Sequence, residues 1–239
     1  MIDTEKLQQI TTLDRGDHDA DSGAMCAMEA VAWIAGEPWS DAPQCASRVI
    51  SQFMRSWNDV LPDADRTRVL MPLLPEIIGT RTTSTDDQTR AWMAIDWVVR
   101  VFTPRWLREA GLMDHAVRIE RLAPLVDEAT AVASKQTLRA AEAAAWAAAW
   151  AAGQDAAWDA ALAARDAARD AAGAAALAAR DATWAVAWAV ARTAAWTAAG
   201  AAAALAPTVA ELQTSAQDLV RRMCAVGRVA AAEQEVQGE

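Results

Sequence analysis

The sequence predicts an all-α protein. Three observations carry that expectation. Apolar residues recur at three- and four-residue spacings through the first hundred positions, as one buried helical face requires. Between Pro124 and Pro207 no proline interrupts a tract of alanine and other strong helix formers. No stretch alternates apolar and polar residues beside an Asn-Gly or Gly-Asn turn, so essentially no sheet is expected.

The elements follow in order. In "SGAMCAMEAVAWIAGE", Ser22 reads as the N-cap, Met25, Met28, Val31, Ala32 and Ile34 as apolar positions, and Gly36 as the stop. Ser47 caps a helix through "RVISQFMRSWNDVL", in which Val49, Phe53, Trp57 and Val60 share a face. "DADRTRVLMPLLPEIIG" is helical but broken by Pro72 and Pro75. "GTRTTSTDDQ" reads as a capped loop, with Thr85 and Gln88 in the capping-box spacing for the helix through "RAWMAIDWVVRVF". Six of the eight prolines lie between Pro38 and Pro104, which suggests a compact helical N-terminal domain, 1–112, and a helical region, 113–239.

The second region repeats a rhythm. Trp146, Trp150 and Trp158 are spaced four and then eight residues apart, as are Trp184, Trp188 and Trp196. On one rod, residues 38 apart would face nearly opposite ways at about 100° per residue. An antiparallel hairpin sets Trp146 level with Trp196 and Trp158 level with Trp184, and Gly173 suits the break. The expectation is a hairpin reversing at 170–174, its alanine faces allowing close helix approach. Trp158, Trp184, Trp188, Arg192 and Trp196 fall beside charged positions. They are the candidate strip for self-association or for stacking a planar ligand, with Arg192 between two indoles.

Composition excludes several classes. A net charge of −10 argues against nucleic acid and anionic membranes as partners. No basic segment followed by an apolar one opens the chain, so no secretory signal is expected. Cys26, Cys45 and Cys224 make no disulfide framework, which fits a cytoplasmic setting. The longest uncharged stretch, Thr193 to Ala210, is too poor in large apolar residues to span a membrane.

Two constellations bear on chemistry. Asp17, Asp19 and Asp21 alternate as in a calcium loop, with Glu29 beyond them. Gly23 and Glu29 each stand one place late for an EF-hand. Carboxylates before a helix are stabilising there without any ion. His18, Cys26 and Glu29 are the candidates for catalysis, with the helix dipole lowering the Cys26 thiol and His18 acting as base. Cys45 would extend that set to a metal, as would Asp17, Asp19, Asp21 and Glu29. No CxxC, HExxH or nucleophile elbow supports either use, and no GxxxxGK[ST] or GxGxxG appears. No metal or cofactor is therefore expected, and a buried structural Cys26 is the preferred reading.

"GAMCAMEAVAWIAGEPWSDAPQC" (Gly23–Cys45), "RSWND" (Arg55–Asp59) and "GTRTT…TRAWMAIDWVVR" resemble a group of uncharacterised helical proteins of actinobacteria and their phages. The resemblance covers about the first 110 residues. It implies no activity and transfers no functional residue; a phage setting implies a host protein or a host signalling molecule as partner. The expected function is a non-enzymatic interaction or scaffold protein forming a homo-oligomer through its alanine- and tryptophan-rich helices. The alternatives are a hydrolase or metal-dependent enzyme centred on His18, Cys26, Glu29 and Cys45, and a protein sequestering a planar ligand.

Overall fold

The computed structural model describes residues 2–152, 162, 165 and 206–228. Its elements are α1 (Thr4–Gln9), α2 (Ala27–Ala35), α3 (Arg48–Val60), α4 (Asp63–Leu70), a 3-10 turn (Met71–Leu73), α5 (Leu74–Ile77), α6 (Ser84–Trp97), a π-turn (Val98–Phe102), α7 (Thr103–Glu109), α8 (Met113–Glu120), α9 (Glu128–Ala152) and α10 (Ala206–Ala225). Among the described residues there is no strand, and no helix is long and apolar enough to cross a membrane.

Contacts divide the chain into two units, Met1–Arg90 with Ala198–Glu239, and Ala91–Thr197. By these contacts the first unit runs to Arg90 and includes α10. The reason lies in its amphipathic face: Leu212, Ala216, Leu219, Val220, Met223 and Cys224 are buried. The residues around 170–174, with Trp158, Trp184, Trp188, Arg192 and Trp196, lie outside the described residues, and so does the expected hairpin.

In the first unit local signals set most boundaries. Helix α2 stops at Gly36, whose φ of 72° is the left-handed conformation that glycine adopts at little cost. Lys6 Nζ donates to the carbonyl of Trp33 at 3.0 Å, satisfying an acceptor in the last turn. The start of α2 corrects the expectation: Cys26, not Ser22, is the N-cap, in a capping box with Glu29. Ser22 is engaged one loop earlier, its hydroxyl donating to Asp19 O at 2.7 Å. Ser47 caps α3 as its sequence suggests, and Val49, Phe53 and Trp57 are buried, each contributing about 1.5–3 kcal/mol. Pro72 and Pro75 break the α4–α5 segment around a 3-10 turn.

Helix α6 is capped by Thr83 and Asp86, not by Thr85 and Gln88. Thr83 Oγ1 accepts the Asp86 N–H at 3.1 Å, and Asp86 Oδ2 accepts the Thr83 N–H at 3.2 Å. Arg90, 0% exposed, then ties α6 to the end of α10. Its Nε donates to Met223 O at 3.0 Å and its Nη2 to Val226 O at 2.7 Å, with Asp87 Oδ1 2.9 Å from Nη1. A buried guanidinium is tolerated because carbonyls and a carboxylate meet most of its donors. Gln217 Nε2 adds a bond to Val69 O at 2.7 Å.

In the second unit the chain passes from α6 to α7 through the π-turn, where Trp97, Phe102 and Trp106 form an aromatic series with neighbouring ring centroids 5.5 and 6.3 Å apart. Arg108 Nη2 bonds Glu120 Oε2 at 2.6 Å, joining α7 to α8. Helix α9 follows, with Ala131, Ser134, Leu138, Ala141 and Ala145 buried.

Candidate functional site

The most elaborate polar arrangement in the first unit surrounds the N-terminus of α2. Residues before α2 form a loop that doubles back over the helix start, its Asp14 N–H donating to Met25 O at 2.7 Å. Glu29, in the first turn of α2 and 1% exposed, collects the loop's donors. Its Oε1 accepts the His18 backbone N–H at 2.6 Å, and its Oε2 accepts the Cys26 N–H at 2.7 Å and meets His18 Nδ1 at 3.0 Å. The carboxylate thus closes the capping box and grips a histidine eleven residues away.

Further groups lace the loop down. Trp39 Nε1 donates to His18 O at 2.7 Å. Asn58, 0% exposed, accepts the Ala27 N–H on Oδ1 at 3.2 Å and donates from Nδ2 to Asp14 O at 2.8 Å. Asp59 Oδ1 accepts the Gly16 N–H at 2.9 Å, and Thr67 Oγ1 accepts that of Leu13 at 2.9 Å. Arg66, 3% exposed, steadies the end of α3 by donating to the carbonyls of Asn58 and Leu61, both at 2.8 Å. Sequence reading passes over Trp39, Asn58, Asp59 and Arg66; the one available signal was that Asn58 is the chain's sole asparagine.

Of the candidates for catalysis, His18, Cys26 and Glu29 do come together. The expected lowering of the Cys26 thiol does not occur. Burial pushes it from its ordinary 9.0 up to about 12, Glu29's negative charge adds to the rise, and the Glu29 backbone N–H, 3.5 Å from Sγ, only partly opposes it. Burial thus disfavours the thiolate at neutral pH. The helix terminus loses to desolvation because Cys26 is 2% exposed.

No family model, curated protein or solved structure matches the chain. A carboxylate–imidazole pair is the orienting half of a nucleophilic triad, but the thiol beside it is a hydrogen-bond acceptor held protonated.

The remaining candidates are dispersed. Asp17, Asp19 and Asp21 are exposed on the loop, and Cys45 lies with Glu37, burial and that carboxylate raising its thiol to about 11. Among the described residues no group of three or more His, Cys, Asp or Glu side chains gathers as metal ligands would. In "GTRTTSTDDQ" the start of α6 is capped by the chain's own Thr83 and Asp86.

Proposed function

We propose that the protein is a non-enzymatic interaction or scaffold protein that self-associates through its alanine- and tryptophan-rich helices. What supports this reading is a packing mode that α9 already uses within the chain, of the kind the alanine tract would offer to a second copy. Along α9 the buried positions Ala131, Ser134, Leu138, Ala141 and Ala145 are spaced three, four, three and four residues apart, the heptad period of helices that pair along their length. Four of the five are small, which suits close helix approach. Ser134 satisfies its hydroxyl on Ala131 O at 2.7 Å, so the seam buries no orphan polar atom there. The protonated, capped Cys26 argues against a thiol hydrolase at the α2 terminus.

Native mass spectrometry and light scattering test the proposal. A homo-oligomer at tens of micromolar is expected, and Trp188→Ala with Trp196→Ala lowers its subunit number while helicity by circular dichroism is kept. A wild-type monomer at that concentration removes the self-association reading.

A further inference from the structure

Glu29 leaves the His18 ring in a defined state. Its Oε1 and Oε2 accept backbone N–H groups at 2.6 and 2.7 Å, short bonds of the kind an ionised carboxylate makes. A carboxylate only accepts, so the Nδ1 that meets Oε2 at 3.0 Å carries the proton between them. In the uncharged ring the second nitrogen, Nε2, is then the bare base.

Nε2 faces outward. Among the described residues only Ser51 Oγ and Trp106 Nε1 are buried side-chain polar atoms without a hydrogen bond. No described residue bonds Nε2, and 15% of the His18 side chain is exposed, so Nε2 opens to solvent. The ring cannot turn this nitrogen inward without giving up its bond to a carboxylate that is 1% exposed. Its backbone is pinned as well, the N–H by Glu29 and the carbonyl by Trp39 Nε1 at 2.7 Å.

We propose that His18 Nε2 is a nucleophilic modification site for uncharged acyl electrophiles. Nε2 attacks the acyl carbon with its lone pair. The bond to the leaving group breaks, and that group departs with the bonding pair and takes a proton from water. The ring keeps its Nδ1–H and becomes positively charged, and Glu29, as the positioning residue, balances that charge as it forms. Anionic phosphoryl donors are disfavoured, because Asp17, Asp19 and Asp21 stand exposed on the same loop. The site needs no second copy of the chain and no thiol.

Diethyl pyrocarbonate, a neutral acyl donor, tests this on the full chain, whose two histidines are His18 and His115. Peptide mass spectrometry at neutral pH should find His18 modified at least about fivefold faster than His115, which is also half-buried. Equal or slower modification of His18 overturns the proposal. Nitrogen-15 NMR of the neutral ring should show Nδ1 protonated and Nε2 bare, and the opposite tautomer also overturns it. Glu29→Gln should bring the His18 rate down towards that of His115. A ratio unchanged or raised in that variant, with helicity kept, means that the carboxylate does not activate the ring, and the proposal fails. Should Glu29→Gln not fold, the tautomer and the rate ratio of the parent chain decide the matter.

Discussion

Glu29 holds His18 at two points, its Oε1 on the backbone N–H at 2.6 Å and its Oε2 on the ring Nδ1 at 3.0 Å. A carboxylate that is 1% exposed and bonded in this way fastens the loop to α2, and the same oxygen closes the helix cap on Cys26.

Removing that carboxylate should therefore loosen the whole loop. Glu29→Gln keeps the shape but weakens charge-assisted bonds from two backbone N–H groups and turns an acceptor into a donor facing them. A loss of about 2–4 kcal/mol is expected by urea unfolding. A loss below about 0.5 kcal/mol, the usual size of a surface change, means that the loop is held by something else.

Arg90 should hold α10 in place. Arg90→Ala leaves the carbonyls of Met223 and Val226 without their donor and Asp87 with the Ser47 hydroxyl alone, and about 3–5 kcal/mol of stability should go with it. Arg90→Lys should recover only part, because one ammonium cannot reproduce the planar fork. Limited proteolysis should cut both variants within 206–228 sooner than the parent chain.

The cysteines set an alkaline limit. Burial raises Cys26 and Cys224 from 9.0 to about 12, and Cys45 to about 11. A thiol whose pKa is higher folded than unfolded contributes its full stabilisation below the unfolded value and loses it as pH rises through the folded one. The urea midpoint should accordingly begin to fall above about pH 9 and go on falling towards 11–12. Replacing Cys26 and Cys224 with Ala should flatten that fall. At pH 8 a thiol reagent should label half-buried Cys45 first; equal rates at all three cysteines would contradict their burial.

Two glycines separate backbone strain from steric conflict. Gly36 (φ 72°) and Gly227 (φ 81°) are both left-handed, but a Cβ at Gly36 meets nothing, whereas one at Gly227 falls 2.8 Å from Asp86 Oδ2. That carboxylate is occupied in capping α6 with Thr83 and cannot swing away without cost. Gly36→Ala should cost about 1 kcal/mol, and Gly227→Ala measurably more. Equal losses by thermal unfolding would mean that Asp86 yields freely.

The sequence by itself determined the helical class and many of the element ends. Gly36, Ser47, Pro72 and Pro75 act through their own φ, hydroxyl or missing N–H, within one turn of themselves, so their effects are readable without knowing the neighbours. Where several side chains compete for one helix start, at Ser22 against Cys26 and at Thr85 against Thr83, the tertiary structure chose. The choice went to the residue whose partner, Glu29 or Asp86, could return a bond. Tertiary structure alone decided that α10 completes the N-terminal core, that Asn58 and Arg66 brace the loop, and that Cys26 is held protonated. Each of these rests on burial or on groups far apart in the chain, such as Arg90 and Met223, separated by 133 positions. Desolvation depends on everything that surrounds a group, and a spacing in the sequence carries no record of it.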